Sequence, residues 1–122
     1  MPHKILIADD QPHMRMLIEF GLSKGGFHFI FAHDGTQAVA LATEEKPDLI
    51  VMDVYMPGLD GLGAVRQLQA NPDTARIPVI LMSGREQAML AEDGKIPGIS
   101  AYFTKPFSPS QLLDETQRLL AV

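Results

Sequence analysis

Three apolar segments constrain the fold of this chain more than any other feature of its sequence. They occupy residues 5–8 (ILIA), 49–52 (LIVM) and 79–82 (VILM). None alternates apolar with polar residues, so none is typical of a strand that has one face in water. Continuous Ile, Val and Leu runs of this length indicate strands buried on both faces of a parallel sheet. Two weaker runs, residues 27–32 and 99–103, are candidates for two further strands.

Apolar residues at helical spacing fill the segments between the predicted strands. One face of the first segment collects Met14, Leu17, Ile18, Gly21 and Leu22. Pro12 suits the first turn of that helix. The first three helices are predicted to end at Gly25-Gly26, before Pro47 and at Asn71-Pro72. The last helix has the clearest beginning, because Ser108, Pro109 and Gln111 match an N-cap, a first-turn proline and a capping box.

The fourth helix is the least defined of the five. Residues 86–93 can form it, but Gly94, Pro97 and Gly98 cut it short, so we expect a short or mobile element. Five strands then alternate with five helices. Because crossovers between parallel strands are right-handed, the helices must cover both faces of one sheet. The sequence therefore predicts an α/β fold.

Length and composition limit the kinds of protein that this chain can be. Its 122 residues suffice for one domain, spanning residues 1–122. A formal charge of −5 and scattered basic residues argue against a nucleic-acid-binding face. No apolar segment approaches the length of a membrane span or of a signal-peptide core. Cysteine is absent, which excludes thiolate metal sites and suits a reducing compartment, so we expect a cytoplasmic protein.

Polar residues follow the predicted strands at the points where those strands end. Asp9 and Asp10 follow the first, Asp53 the third, Ser83 the fourth and Lys105 the fifth. Ligands of open parallel sheets bind at this edge, so the five side chains are expected to converge. Close carboxylates repel one another unless a cation compensates, and oxygen ligands suit Mg²⁺. Such a site suits phosphoryl transfer, in which a carboxylate can accept the group covalently.

Each of these residues has an ordinary structural explanation when it is taken alone. An aspartate pair after a strand is usually a helix cap, a serine-glycine pair is often a turn, and a lone lysine is usually solvated. Their joint placement at four strand ends favours a functional site over these separate explanations.

Four segments match a known family in order and spacing: ILIADD at 5–10, DVYMPGLDG at 53–61, PVILMSG at 78–84 and YFTKPF at 102–107. Together they resemble the receiver domain of bacterial two-component response regulators, close to the single-domain, chemotaxis-type members. The resemblance implies a flavodoxin-like, doubly wound (βα)5 fold with five parallel strands in the order 2-1-3-4-5. It also implies a role in a two-component phosphorelay, with a sensor histidine kinase or phosphotransfer protein as partner.

The resemblance implies a role for each residue at the strand ends. Asp53 would be the phosphoacceptor, attacking the phosphorus of a phosphohistidine on the partner. Asp10 would bind Mg²⁺ directly, Asp9 through a water, and the backbone carbonyl of Tyr55 would be the third protein ligand. Lys105 would pair with the acceptor carboxylate and then with the phosphoryl oxygens.

The family's switch maps onto the last two strands. The hydroxyl of Ser83, beside Gly84, would move to bond the phosphoryl group, and Tyr102 would turn into the space that it leaves. This would couple the site to a surface of the fourth helix, fifth strand and fifth helix, where an unknown target binds. The Lys105–Pro106 bond is typically cis in the family, which would aim the lysine at the site.

Departures from the family pattern concern the surroundings of the site. Tyr55 and Arg85 flank the route by which water would reach an acyl phosphate, so we expect them to set its lifetime, in a direction left open. Pro97 stands where a small helix-compatible residue is common.

Other functions remain alternatives. A haloacid dehalogenase-type phosphatase also uses an Asp nucleophile with Mg²⁺, but it needs an Asp two residues after that nucleophile, and Gln11 follows Asp9 at that spacing. A flavin or nucleotide carrier needs a phosphate-binding loop where Asp9 and Asp10 stand. A receiver fragment of a longer regulator is also open. We expect a signalling phosphoacceptor rather than an enzyme.

Overall fold

The computed structural model describes residues 2–84 and 98–121. Its sheet has five parallel strands in the order β2-β1-β3-β4-β5, which confirms the predicted flavodoxin-like architecture. The strands are β1 (Lys4–Ala8), β2 (His28–Ala32), β3 (Leu49–Asp53), β4 (Val79–Ser83) and β5 (Ile99–Thr104).

The described helices are α1 (Pro12–Leu22), α2 (Gly35–Glu45), α3 (Gly61–Ala70) and the C-terminal helix (Pro109–Leu120). The C-terminal helix begins as predicted, because the Oγ of Ser108 accepts a hydrogen bond from the backbone N–H of Gln111 at 3.3 Å. A 3₁₀ turn follows α1 and ends at Gly26, whose φ of +70° lies in the left-handed region that favours glycine. The predicted fourth helix, residues 86–93, lies outside the described residues, as does Pro97.

Two apolar layers cover the sheet, one on each face. Leu6, Ile50 and Leu81 pack towards α2 and α3, whereas Val51 and Ile80 pack towards α1 and the C-terminal helix. All residues of β3 and β4 are buried, which explains why their sequences show no polar alternation. Polar side chains of the central strands are therefore confined to the strand ends.

The outer strands, β2 and β5, are only partly buried, as expected for the two edges of the sheet. The pairing of β4 with β5 contains a register shift between Val79 and Ile80, beyond which Ser83 pairs with Thr104. Within the described ranges, no helix has the length and apolar character needed to cross a membrane.

Candidate functional site

Three carboxylates meet at the carboxyl edge of the sheet. Asp9 directly follows β1 and Asp53 ends the neighbouring strand β3, while Asp10 follows Asp9 in the loop into α1. Each of the three offers a carboxylate oxygen, and these oxygens all lie within 4.8 Å of one another. Asp9 and Asp53 are buried and Asp10 is exposed. The structure thus brings together the three acidic residues that the sequence placed at these strand ends.

Lys105 reaches into this cluster from the end of β5. Its Nζ lies 3.1 Å from Oδ2 of Asp53 and 3.4 Å from Oδ2 of Asp9. The backbone N–H of Lys105 donates to the carbonyl of Ser83 at 2.8 Å, which continues the β4–β5 pairing by one residue. The peptide bond between Lys105 and Pro106 is cis. The ammonium group therefore bridges the two buried carboxylates.

Three negative charges this close together repel one another, so the cluster is electrostatically unfavourable without a compensating cation. Burial raises the pKa of the Asp53 carboxyl and the nearby Asp9 raises it further, while Lys105 and the backbone N–H of Tyr55 act in the opposite direction. A divalent cation would relieve this repulsion. The donors are oxygen atoms from carboxylates, one of them open to solvent, and this set fits Mg²⁺, which keeps several of its waters when it binds.

The loop after Asp53 holds its own backbone against the cluster. The N–H of Tyr55 donates to Oδ1 of Asp53 at 3.4 Å, which places the backbone of residue 55 beside that carboxylate. The N–H of Gly61 donates to the carbonyl of Val54 at 2.8 Å and closes the loop. At the end of the loop, Oδ1 of Asp60 accepts from the N–H of Gly63 at 2.7 Å and caps α3. The side chain of Tyr55 is 63% exposed.

Ser83 ends β4 at the same edge, with Gly84 directly after it. Its Oγ is buried and has no hydrogen-bond partner among the residues that the structure describes. A buried hydroxyl without a hydrogen-bond partner costs free energy of folding, so an acceptor oxygen placed within its reach would remove that cost. Tyr102, on the neighbouring strand, is partly buried against the apolar layer on the α2 and α3 side, and burial raises the pKa of its hydroxyl. Arg85 lies outside the described residues.

Two features beside the site were not predicted. Nη1 of Arg15 donates to the backbone carbonyl of Asp9 at 2.7 Å and holds the start of the β1–α1 loop. In addition, a largely apolar groove of about 550 Å³ runs from Lys105 along α1. Its lining is Met14, Leu17, Phe20, Lys105, Pro106, Phe107 and Pro109.

The groove shows how much of the apolar face of α1 is covered. Helical periodicity predicted one face shared by Leu17, Ile18 and Leu22, but this face is not buried throughout. Ile18 and Leu22 are buried, but Leu17 is 51% exposed and Phe20 is 76% exposed. The reason is that the sheet and the C-terminal helix cover only part of α1. The signal in the sequence was an apolar stripe too wide for one buried face.

Comparison with known proteins is consistent across sequence and structure. The family model for the response regulator receiver domain matches residues 5–117. Protein PilH of Pseudomonas aeruginosa is 40% identical over 118 residues, covering 97% of this chain and 98% of PilH. The transcriptional regulatory protein PhoP of Bacillus subtilis is 34% identical over 98% of this chain, which spans only 49% of PhoP.

A solved structure shows a similar likeness in fold. The receiver domain of the sensor histidine kinase PA1611 from Pseudomonas aeruginosa superposes with a TM-score of 0.88 and is 30% identical, with both chains covered completely. That structure has a magnesium ion coordinated in its active site cleft.

Proposed function

Because the chain belongs to the response regulator receiver domain family, we propose that Asp53 accepts a phosphoryl group from a phosphohistidine of a partner protein. An oxygen of the Asp53 carboxylate attacks the phosphorus, the P–N bond breaks, and the imidazole of the donor leaves with that electron pair. The observation that carries this proposal is the position of Asp53, between an ammonium at 3.1 Å and two further carboxylates. We propose that residues 1–122 form one such domain, acting in the cytoplasm as a signalling protein.

Magnesium would be held by the carboxylates of Asp9, Asp10 and Asp53 and by the backbone carbonyl of Tyr55. When bound, the ion supplies positive charge that compensates the carboxylates and the incoming phosphoryl oxygens. Arg15 holds the backbone of Asp9, and the N–H of Tyr55 orients the Asp53 carboxylate. These contacts keep the acidic side chains in place before any ligand arrives.

Lys105 and Ser83 would respond to the new charge. The ammonium of Lys105 already contacts Asp53, so phosphoryl oxygens on that residue would fall within its reach. The hydroxyl of Ser83, which has no hydrogen-bond partner within residues 2–84 and 98–121, gains an acceptor if it turns towards the phosphoryl group. Tyr102 packs nearby on β5 and would fill the space released by that movement. The change would then reach the face formed by β5 and the C-terminal helix, and alter the affinity for a target protein.

The phosphodonor would dock over the groove beside Lys105. A donor histidine must reach Asp53 from the carboxyl edge of the sheet, so its protein must cover the start of α1 and the groove that runs along this helix. The groove offers the exposed apolar side chains of Leu17 and Phe20 to that protein. Exposed aromatic side chains beside a pocket are typical anchors of protein interfaces.

The proposed function is tested by incubating the protein with Mg²⁺ and acetyl phosphate and measuring its mass. We expect an increase of one phosphoryl group, which Asp53→Asn abolishes. Asp73→Asn serves as the matched control, because Asp73 is an exposed aspartate in the connection leading to the opposite end of β4. Lys105→Ala should still be labelled but show a weaker response at Tyr102. Labelling that survives Asp53→Asn would refute the assignment.

A further inference from the structure

Two glycines bring neighbouring backbone unusually close to the loop of residues 54–60. A Cβ atom on Gly61 would lie 2.3 Å from the carbonyl oxygen of Asp53. A Cβ atom on Gly35, the first residue of α2, would lie 2.0 Å from the carbonyl oxygen of Leu59. Real Cβ atoms essentially never come within 3.0 Å of such an atom. At both positions a side chain would therefore force the facing backbone to shift.

The requirement at Gly35 comes from close approach rather than from backbone conformation. Gly35 begins a regular helix, unlike Gly58 in the loop itself, whose φ is +73°. Its Cα packs against Leu59, and Leu59 belongs to the same closed loop as Tyr55. The N–H of Gly61 bonds to the carbonyl of Val54 and ties the two ends of this loop together. A displacement of Leu59 would therefore be passed on to the other residues of the loop, including Tyr55. The first turn of α2 thus limits sterically how far this loop can move towards the helix.

We propose that Gly35 is a positioning residue for the metal site. By letting Leu59 rest directly on α2, it fixes the loop that carries the carbonyl of Tyr55 and follows Asp53. This inference rests on the proposed function, in which both groups hold Mg²⁺. Magnesium requires near-octahedral ligands at about 2.0–2.1 Å, so it is sensitive to small ligand displacements. A methyl group at residue 35 would force Leu59 or α2 to move by about 1 Å or more.

The first test compares Mg²⁺ binding by the wild-type protein and Gly35→Ala, using titration calorimetry at a temperature where both are folded. We expect Gly35→Ala to bind roughly 10- to 100-fold more weakly, as is usual when the support of a metal ligand is removed. The matched control is Asp34→Ala. Asp34 is the N-cap of α2 and accepts from the N–H of Gln37 at 2.7 Å, so its loss weakens the same helix end without adding an atom against Leu59.

The outcomes separate the possible causes. If Asp34→Ala melts earlier but keeps its affinity for Mg²⁺ within about twofold, while Gly35→Ala loses affinity, the positioning role is supported. Equal losses in both variants would mean that a loosened helix is responsible, and would overturn the proposal, as would wild-type affinity in Gly35→Ala. If the wild-type protein binds no Mg²⁺, the proposed function fails and this inference fails with it.

A second test needs no variant and remains valid if Gly35→Ala does not fold. If the contact between Gly35 and Leu59 affects Mg²⁺ binding, then Mg²⁺ binding must in turn affect the first turn of α2, because such coupling is reciprocal. In a magnesium titration followed by amide NMR, we expect the resonances of Gly35 and Thr36 to shift together with that of Tyr55. Glu45, at the far end of α2, should stay nearly unchanged. Unmoved resonances of Gly35 and Thr36 at saturation, with Tyr55 shifted, would overturn the proposal.

Discussion

Replacing Asp53 with asparagine is expected to make the protein more stable when divalent ions are absent. The oxygens of Asp53 and Asp9 lie within 4.8 Å, so at an effective dielectric constant of about 20 their repulsion is at least about 3.5 kcal/mol. Asp10 adds a smaller repulsion, because it is exposed. The attraction to Lys105 at 3.1 Å is about 5 kcal/mol on the same scale. Burial of the charge costs roughly several kcal/mol more, so burial and repulsion together exceed the attraction, in keeping with the raised pKa of Asp53.

The balance favours the neutral amide. Lys105 keeps a carboxylate partner in the variant, because it also contacts Asp9 at 3.4 Å. We therefore expect Asp53→Asn to raise the free energy of unfolding by about 1–2 kcal/mol, which corresponds to about 3–6 °C in Tm for each kcal/mol. Magnesium should reverse the order of the two proteins. At 100 times the dissociation constant it adds about 2.7 kcal/mol to the wild type, whereas the variant has lost one ligand and gains less.

The sign of the pH dependence follows from the raised pKa of Asp53. A carboxyl whose pKa is higher in the folded state destabilises the protein when it is ionised, and this cost is fully present above the folded pKa. The cost disappears as the pH falls towards the ordinary carboxyl range. The advantage of Asp53→Asn should therefore be largest near neutral pH and shrink on acidification.

The measurement is urea unfolding followed by far-UV circular dichroism, in EDTA and in excess Mg²⁺, at several pH values. Asp73→Asn removes the same charge at an exposed position and should change stability by less than about 0.5 kcal/mol. An Asp53→Asn protein that is less stable than the wild type in EDTA would refute the reasoning, since the ion pair with Lys105 would then outweigh repulsion and burial.

Three further predictions follow from individual contacts. The Thr116 Oγ1 is buried without a hydrogen-bond partner in the described part of the chain, so Thr116→Val should raise the free energy of unfolding by about 1 kcal/mol, measured with urea. Thr43→Val, which removes a bond to the carbonyl of Val39, should show no such gain. Phe20→Ser should slow phosphotransfer from a phosphohistidine protein roughly tenfold or more but leave labelling by acetyl phosphate unchanged; equal slowing of both reactions would contradict the docking proposal. Asp60→Ala should lower the free energy of unfolding by about 1 kcal/mol, because the cap on α3 is lost, and an unchanged urea midpoint would count against that contact.

Most of the fold could be predicted from local pattern because the central strands are buried on both faces. Residues 49–52 and 79–82 lie within β3 and β4, whose side chains are all buried. The order of the strands came from family resemblance, since each apolar run would fit any interior position. The exposure of Leu17 on α1 could not be predicted, because periodicity shows which residues share a face but not how much of that face a neighbour covers.

The convergence of the acidic residues was predictable in part for a topological reason: parallel strands end at the same edge, so the residues that follow them share that edge. Asp9 and Asp53 are close because β1 and β3 are adjacent, and this depends on the strand order. The contacts of Arg15 and Gly35 were not predictable in this way. They depend on how closely a helix approaches a loop from another part of the chain, and neither residue stands out in its local sequence.

The central strands carry an unbroken apolar sequence up to the last or next residue, where Asp9, Asp53 or Ser83 stands. A shift of any of these strands by one residue along its neighbours would exchange its two faces. It would also move a charged or hydroxyl side chain towards the apolar core. Burial of the apolar strand residues opposes such a register shift, and the same burial drives folding. The reactive groups at these strand ends are therefore held in place by the same energy that keeps the chain folded.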